Sequence, residues 1–374
     1  MLRRAFLQSA LAPLLTSTWR ASAPPASITE LQTIMRESRV PGAVIGAVHD
    51  HKLAWIAPLG VLEAGKSEAV DKDTIFHAAS LSKQLTAHAA FALRSQGKLD
   101  FDRPLVEYVD DLRHPQARLV TARQVLSHSS GLPNWRYADG YRPAPELAPA
   151  FAPGSRYKYS GEGYFYLQRV MERVSNTGFE QLMQELVIKP LGMSSTTFIW
   201  DPQTTARTAK AHGKRGEIGR EGDRAAAALR RYAAASNKPV AALKYEEYSR
   251  AFSGDDTPVL PNGLRPNAAA SLVTSASDYA QFLSAALRNA ELGKQQFNIN
   301  ESLAWGLGWA IERASGKMYL FQWGDNPGFK NFVLAEPSTG SAIFVFTNGD
   351  AGRRVYEHVI IKATGHDHPA FAWL

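Results

Sequence analysis

The chain has 374 residues, of which 45% are hydrophobic and 21% are charged, as expected for a soluble globular protein with a large core. It contains no cysteine, which excludes disulfides, thiolate metal sites and a cysteine nucleophile. The formal net charge is +7, and the first 23 residues contribute three arginines and no acid. Without them the net charge is +4, which is too small to indicate a nucleic-acid partner.

The N-terminal segment has the features of an export signal. Arg3 and Arg4 precede a modest apolar run, and small residues follow at 21–23. This order predicts a twin-arginine-type signal peptide over residues 1–23 and a periplasmic or secreted protein. A cytoplasmic amphipathic leader is the alternative, and Pro24 leaves the cleavage point open. The apolar run is shorter than the roughly 20 residues that span a bilayer, so no stable membrane span is expected.

Strand patterns occur near both ends of the chain. A serine-capped amphipathic pattern over 27–38 predicts a helix, and two apolar runs joined at Asp50 and His51 predict a hairpin. Near the C-terminus, three further apolar runs predict an antiparallel meander followed by a helix. We therefore expect one sheet built from residues 40–60 and 305–348.

Residues 80–287 show mostly helical patterns and loops. Within them, 201–264 is poorly periodic and is expected to be a long excursion over one face, covering the substrate. Its basic part, 210–231, has seven Lys or Arg against three acids but no stacking aromatic residues, which indicates a solvated surface. The predicted fold class is α+β: an antiparallel β-sheet flanked by helices with an inserted, mainly helical subdomain, in a single domain over 27–365.

The most informative stretch begins an apolar helical pattern at Ser80. Ser80 and Lys83 are three residues apart and therefore share one helix face. A lysine whose pKa is lowered by desolvation can take the proton of a serine hydroxyl and make it a nucleophile. The same spacing recurs at Ser95, near a helix end, and at Ser155, in a turn. On this pattern alone, Ser80 is either a nucleophile or a helix-capping serine.

Other polar residues have simpler interpretations. No carboxylate lies at a sequence spacing from His128 that would indicate a catalytic pair. We therefore interpret His128 as a residue that ties down a buried loop through hydrogen bonds. The stretch around Tyr159 alone predicts a surface or packing tyrosine. His366 and His368 lie on a polar tail without a third ligand, so they are expected to be solvated and no metal site is predicted. The chain has no GxSxG elbow, which argues against an α/β-hydrolase.

Several short motifs in a particular order resemble the serine β-lactamase and penicillin-binding-protein superfamily, in its class C-like branch of β-lactamases, D,D-peptidases and related esterases. The likeness extends from residue 28 to residue 359. Its main motifs are Ala79-Ser-Leu-Ser-Lys83, Leu126-Ser-His-Ser-Ser-Gly-Leu-Pro133, Pro153-Gly154, Pro190-Leu-Gly-Met193 and Asn326-Pro-Gly-Phe329.

The resemblance implies a role for each of several residues. Ser80 would be the nucleophile, Lys83 its proton partner, and Tyr159 the group that completes the acid/base pair. The oxyanion hole would use the backbone N–H groups of Ser80 and Asp325. No metal or organic cofactor is needed, the substrate would be a small molecule or a peptide, and we expect a monomer.

Two departures from the family pattern affect the expected substrate-binding residues. Gly161 stands where a Tyr-x-Asn element usually ends, which removes a side-chain amide that would contact the acyl group. The third element, usually Lys-Thr-Gly or His-x-Gly, is Gln322-Trp323-Gly324 and has no cation at its first position. The acylation residues are therefore present, whereas substrate recognition differs from that of a β-lactamase.

These features predict an exported serine hydrolase that cleaves an ester or amide bond through an acyl-enzyme on Ser80. One alternative is a penicillin-recognising D,D-peptidase or β-lactamase. Another is a non-catalytic binding protein that keeps the fold, which the two departures favour slightly.

Overall fold

The computed structural model describes residues 23–136, 146–199, 207–219, 221–251 and 266–374. All of the predicted signal peptide except its last residue, Ala23, lies outside these ranges. Among the residues inside them, no helix combines the length and the apolar character needed to cross a membrane.

The described strands lie mainly near the two ends of the chain. They are β1 (Gly42–His49), β2 (Lys52–Gly60), β3 (Ile75–Ala79), β4 (Ala211–His212), β5 (Ile218–Gly219), β6 (Leu272–Ser275), β7 (Phe297–Asn298), β8 (Leu303–Trp305), β9 (Ala310–Ala314), β10 (Lys317–Asn326), β11 (Phe329–Glu336) and β12 (Ser341–Thr347).

The described helices lie mainly between the two groups of strands. They are α1 (Ile28–Glu37), α2 (Ser82–Ser95), α3 (Ala122–Leu126), α4 (Glu162–Ser175), α5 (Phe179–Met183), α6 (Glu221–Ala235), α7 (Tyr245–Ala251), α8 (Ala276–Ala286), α9 (Gly352–Thr364) and α10 (Pro369–Trp373). A π-helical turn at Gln184–Ile188 extends α5. Short 3₁₀ turns lie at Leu105–Glu107, Ala117–Leu119, Val240–Ala242, Ala290–Gly293 and Pro337–Thr339.

Eight of these strands form one antiparallel sheet in the order β2-β1-β12-β11-β10-β9-β8-β7. β1 pairs with β12, from Ala43 opposite Thr347 to Val48 opposite Ala342, so the two ends of the chain meet inside the sheet. The C-terminal part of the sheet begins at Phe297, a few residues before its predicted start at 305. Two small antiparallel pairs, β3 with β6 and β4 with β5, lie outside it.

The sheet is buried on both faces because helices cover each of them. Successive residues of a strand point to opposite faces, and Val44 and Phe344 accordingly belong to the core that includes α2 and α8. Ile45 and Val345 belong to the second core, formed with α1 and α9. This arrangement confirms the predicted antiparallel sheet flanked by helices.

The structure corrects the prediction for the excursion at 201–264. In its described part, residues 221–235 and 245–251 form the helices α6 and α7. Leu229 and Tyr248 from these helices pack in one cluster with Ile75 and Val273 of the small β3-β6 sheet. The alanine-rich sequence of α6 favours a helix, and this packing buries its apolar side, which the weak periodicity did not indicate. The prediction that the segment covers the substrate stays untested, and residues 252–264 lie outside the described ranges.

Candidate active site

Ser80 lies in the turn between β3 and α2. The preceding residue, Ala79, has a φ of 52°, which is strained for a residue with a Cβ and is a feature that clusters at functional sites. The helix cap is Leu81, which makes no side-chain capping bond, and the nearby hydroxyl of Ser82 donates to the Ala79 carbonyl over 2.6 Å. Ser80 therefore does not cap α2, and the capping interpretation is wrong.

Lys83 lies one turn into α2 and is fully buried. Its Nζ is 3.1 Å from Ser80 Oγ and donates to the carbonyl of Ala269 over 2.8 Å. Burial lowers the pKa of Lys83 well below its usual value, because a charged ammonium loses its hydration there. The amine is therefore disposed to be neutral and to accept the hydroxyl proton of Ser80.

Tyr159 reaches the same point from the loop before α4. Its hydroxyl interacts with the Ser80 side chain, which acts to lower the pKa of the phenol, and its ring centroid lies 4.7 Å from Lys83 Nζ. Part of the residue remains exposed, yet burial of the phenol raises its pKa. Tyr159 therefore stays protonated over a wide pH range and is suited to donate a proton rather than to remove one from Ser80.

His128 fixes the segment that carries Tyr159. Its carbonyl accepts a hydrogen bond from the Lys158 N–H over 2.8 Å, and its Nδ1 accepts from the Ser160 N–H over 3.0 Å. Its ring stacks on the Tyr159 ring with the centroids 4.2 Å apart. Burial lowers the pKa of His128 well below its usual value, so the imidazole is neutral. The interpretation of this residue as one that ties down a buried loop is thus confirmed.

Gln322 lies in β10 with its side chain directed at this group. It is fully buried, and its Nε2 lies 3.4 Å from both the Tyr159 hydroxyl and the Ser80 carbonyl. These distances are at the long end of hydrogen bonding. Its Oε1 is buried without a hydrogen-bond partner among the described residues. A neutral amide therefore stands beside the nucleophile where the resemblance places a cation.

The next residues of β10 border the site in different ways. A Cβ on Gly324 would lie 2.3 Å from the carbonyl oxygen of Ala78, so only glycine lets β10 approach β3 this closely. The Trp323 ring centroid lies 5.1 Å from that of Tyr159. The exposed carboxylate of Asp325 binds Lys330 Nζ over 2.7 Å. The backbone N–H of Asp325 is therefore the part of this residue that is expected to face the substrate.

Gly161 lies at the start of α4, two residues after Tyr159, where it caps the helix without a side chain. The structure thus brings Ser80, Lys83, Tyr159 and Gln322 into one contact group and places Gly161 beside it. Sequence reasoning did not identify Ala269, whose carbonyl holds Lys83, and nothing in its local sequence distinguishes it from other alanines.

The histidines near the C-terminus differ from the prediction. His368 is buried, with Nδ1 2.9 Å from Glu312 Oε1 and Nε2 2.9 Å from Thr364 Oγ1. His366 Nε2 lies 3.2 Å from the Tyr319 hydroxyl. The prediction of a solvated pair is therefore wrong for His368, which links α9 and α10 to β9. The described ranges contain no group of three or more His, Cys, Asp or Glu residues arranged to hold a metal ion.

Comparison with known proteins identifies the family. The family model described as Beta-lactamase matches residues 28–364, and the chain therefore belongs to this family of serine hydrolases. Penicillin-binding protein 4 of Amycolatopsis lactamdurans is 25% identical over 348 residues, which are 88% of this chain and 86% of that protein. Esterase EstB of Burkholderia gladioli is 27% identical over 192 residues, which are 44% of this chain and 49% of the esterase.

A solved structure shows the same fold. The D-alanine carboxypeptidase AmpC of Burkholderia cenocepacia superposes with a TM-score of 0.69 at 20% sequence identity, over 90% of this chain and 97% of that one. At this identity the similarity establishes the fold alone. The family predicted from the ordered motifs is thus confirmed, and the relatives include both penicillin-binding proteins and an esterase.

Proposed function

We propose that this protein is an exported serine hydrolase that forms an acyl-enzyme on Ser80 and prefers esters without a charged group beside the scissile bond. The buried contact between Lys83 Nζ and Ser80 Oγ supports this assignment most directly. A lysine so buried, with its amine against a serine hydroxyl, has the geometry of a nucleophile and its base.

Acylation follows from the protonation states of the two partners. Neutral Lys83 takes the hydroxyl proton as Ser80 Oγ bonds to the substrate carbonyl carbon. The backbone N–H groups of Ser80 and Asp325 stabilise the resulting oxyanion. The tetrahedral intermediate then expels the alcohol or amine, which takes a proton from Tyr159, and Lys83 returns its proton to Tyr159.

Deacylation uses the same groups with water as the nucleophile. Water attacks the acyl carbonyl and gives up a proton to the neutral amine of Lys83. The Ser80 oxygen leaves, recovers the proton, and the carboxylic acid is released.

The preference for uncharged esters follows from Gln322. A charged donor to a carboxylate contributes about 1.5–3 kcal/mol, whereas a neutral donor contributes about 0.5–1.5 kcal/mol. This deficit of about 1 kcal/mol or more corresponds to a roughly fivefold or greater loss of kcat/KM for substrates with a free carboxylate at this position. The similarity to an esterase over half of that chain is consistent with this preference.

A penicillin-recognising D,D-peptidase or β-lactamase is the second candidate. The similarity to a penicillin-binding protein over 88% of this chain favours it. A binding protein without turnover is less well supported, because an inactive site has no need to hold a lysine amine fully buried against a serine hydroxyl.

Two serine-directed reagents distinguish these functions. We expect a fluorophosphonate to label the wild-type protein and a fluorescent penicillin to label it weakly or not at all. Ser80→Ala should abolish labelling and lower ester hydrolysis by at least about a thousandfold. Ser95→Ala and Ser155→Ala are matched controls that should behave as wild type.

Other labelling or activity results would support a different function. Efficient labelling by the penicillin would favour the peptidase or lactamase function. Absence of labelling by both reagents would favour a binding protein. Full activity of folded Ser80→Ala would contradict the proposed nucleophile.

A further inference from the structure

The carbonyl that contacts Lys83 belongs to a buried turn of three alanines, Ala268–Ala270. Alanine side chains make no hydrogen bonds, so the position of this carbonyl depends on the groups that bind the backbone of the turn. Each of the three N–H groups donates to a side chain, and each of the three carbonyls accepts from one. Neighbouring side chains therefore determine where the Ala269 carbonyl lies.

Asn267 binds most of the N–H side of this turn. The residue is buried, and its Oδ1 accepts from the Ala269 N–H over 2.8 Å and from the Ala270 N–H over 2.7 Å. The remaining N–H, that of Ala268, donates over 2.9 Å to Oε1 of Gln168, which is buried in α4. One side-chain oxygen thus holds two consecutive peptide groups.

The carbonyls of the same two peptide groups face α2. A planar peptide group carries its N–H and its C=O on opposite sides. The peptide group that follows Ala269 is bound by Asn267 at its N–H and by Lys83 at its carbonyl. The preceding peptide group is bound by Asn267 at its N–H and by the Thr86 hydroxyl, over 2.9 Å, at its carbonyl. Asn267 therefore holds both carbonyls against the helix that carries the base.

The Ala269 carbonyl fixes the orientation of the Lys83 amine. A neutral amine has two N–H groups and one lone pair, and the bond to this carbonyl uses an N–H. Since Nζ also lies 3.1 Å from Ser80 Oγ, the lone pair is left to face the hydroxyl proton. If the carbonyl moved away, the amine would rotate freely and this productive geometry would be populated less often.

We propose that Asn267 is a positioning residue that fixes the Ala269 carbonyl and thereby holds the Lys83 amine with its lone pair toward Ser80. This inference rests on the proposed function, since it requires Lys83 to be the base. The bond to the carbonyl is stronger for an ammonium than for an amine, because a charged donor forms the stronger hydrogen bond. Release of the carbonyl should therefore slow proton removal and also lower the pKa of Lys83.

The pH dependence of the reaction at Ser80 reports the protonation of Lys83. Among the described residues, the other titratable groups that face its Nζ are Tyr159 and Tyr164, with ring centroids at 4.7 and 5.5 Å, and His128. Burial raises the pKa of both tyrosines and lowers that of His128, so all three are neutral near neutral pH. A shift in the midpoint of the acid decrease is therefore assigned to Lys83.

The test is inactivation by a fluorophosphonate, in which Ser80 Oγ bonds to phosphorus, fluoride leaves and Lys83 takes the hydroxyl proton. We expect Asn267→Ala to lower the limiting rate constant kinact by at least about tenfold, with KI changed by no more than about twofold. The midpoint of the acid decrease in kinact, measured between about pH 4 and 9, should move to lower pH by about half a unit or more. Asn267→Ser keeps an acceptor for the same two N–H groups and should recover part of both changes.

A buried asparagine elsewhere provides the matched control. The Oδ1 of Asn348 accepts from the Gly42 N–H over 2.7 Å, and its Nδ2 donates to the Leu62 carbonyl over 3.0 Å, so it also holds backbone groups in place. Asn348→Ala should lower the melting temperature without moving the midpoint for kinact. Thr86→Val keeps the shape of the side chain and removes the hydroxyl that binds the turn, so it supplies the same test if Asn267→Ala does not fold.

Two results would overturn the inference. A lower kinact with an unchanged midpoint would show that Asn267 only supports the fold, and an unchanged kinact would show that the turn keeps its position without Asn267. Lys83→Arg separates the two hypotheses. If Lys83→Arg is labelled as fast as wild type, the proposed function fails, whereas loss of labelling there with unchanged kinetics in Asn267→Ala rejects only the role of Asn267.

Discussion

Burial acts in opposite directions on the pKa values of two neighbouring residues in the site. It lowers the pKa of Lys83 and raises that of Tyr159, and in both cases the neutral form is favoured. The neutral amine of Lys83 and the neutral phenol of Tyr159 both lie near the Ser80 hydroxyl. The site therefore has one proton acceptor and one proton donor. The resting site is therefore prepared for acylation without a buried ion pair.

The pKa of Lys83 determines how activity depends on pH. Only the neutral amine accepts the Ser80 proton, so kcat/KM should fall as pH decreases through the lowered pKa of Lys83. It should stay level on the alkaline side, because the raised pKa of Tyr159 keeps the phenol protonated. A pH profile of p-nitrophenyl butyrate hydrolysis between about pH 5 and 9 measures both the decrease in acid and the plateau in alkali.

Replacement of Lys83 by arginine tests whether Lys83 is the base. Lys83→Arg places at this position a guanidinium that cannot be deprotonated in a protein, so the variant should lose activity at every pH tested. Activity that increases toward acid, or an active Lys83→Arg enzyme, would contradict the assignment of Lys83 as the base.

The neutral side chain of Gln322 is expected to disfavour anionic substrates. Gln322→Lys should shift the ratio of kcat/KM values for nitrocefin, which carries a carboxylate, and p-nitrophenyl butyrate toward nitrocefin by about fivefold or more. The ammonium would replace a neutral donor beside the Tyr159 hydroxyl, where Nε2 now lies at 3.4 Å. Initial rates on the two substrates give the ratio directly.

A neutral substitution separates charge from shape. Gln322→Met has similar length and no donor, so it should not move the ratio toward nitrocefin. The hypothesis fails if wild type hydrolyses nitrocefin as efficiently as the butyrate ester, or if Gln322→Lys lowers both activities equally while the protein remains folded.

The sequence predicted the part of the site that depends on local spacing. Ser80 and Lys83 meet because they are one helical turn apart. The approach of Gln322 and Tyr159 required the resemblance, since no local pattern joins them. The contact of the Ala269 carbonyl with Lys83 was not predicted, because it depends on how a distant turn docks on α2.

The close approach of the strands β3 and β10 sets the width of the site. Gly324 lies over the Ala78 carbonyl, and on the next strand Asn331 Nδ2 donates to the His77 carbonyl over 2.9 Å. The turn that presents Ser80 is thus fixed against the strand that carries Gln322. Any side chain at residue 324 must push these two strands apart.

Gly324→Ala should therefore impair both stability and activity. Overpacking of this kind costs about 1–3 kcal/mol of unfolding free energy. We expect kcat/KM to fall by at least about tenfold, since small displacements of catalytic groups strongly lower the reaction rate. Urea unfolding and ester hydrolysis measure the two effects.

Gly293→Ala is a suitable control for this change. A Cβ there would meet only the flexible end of Met318, at 3.0 Å, so the variant should resemble wild type. Wild-type activity in Gly324→Ala would show that the two strands can separate without affecting the site.

Elements with strong local signals were predicted well, and those that depend on distant packing were not. The hairpin turn at Asp50 and His51 adopts φ values of 48° and 57°, the positive values that a two-residue hairpin turn needs and that Asp and His tolerate in place of glycine. The helix Glu221–Ala235 was missed because its sequence is rich in alanine and arginine rather than clearly amphipathic.

Across the molecule, the C-terminal helices are linked to the sheet by buried polar contacts. Glu312 and His368 have fully buried side chains and lie 2.9 Å apart, although 56 residues separate them in sequence. Considered alone, His368 lies in a polar stretch near the C-terminus, which predicts exposure. The pairing gives Glu312 Oε1 and His368 Nδ1 a partner, which lowers the cost of their burial, and the sequence does not reveal it.

The absence of cysteine bears on where the protein is able to fold. No disulfide has to form, so an oxidising compartment is not required for folding. The core and the proposed site are therefore able to assemble before transport. This is compatible with a twin-arginine leader, and it makes the leader testable apart from catalysis.

The proposed export depends on the paired arginines near the N-terminus. Replacing Arg3 and Arg4 together by Lys keeps the charge and removes only the guanidinium groups, which a positive charge alone does not replace. We expect the double variant to remain in the cytoplasm, whereas the wild type appears in the periplasmic or secreted fraction. Arg20→Lys, beyond the apolar run, is the matched control and should be exported normally. Ester hydrolysis in each cell fraction gives the distribution, and unchanged recovery of the double variant outside the cytoplasm would exclude a role for the arginine pair.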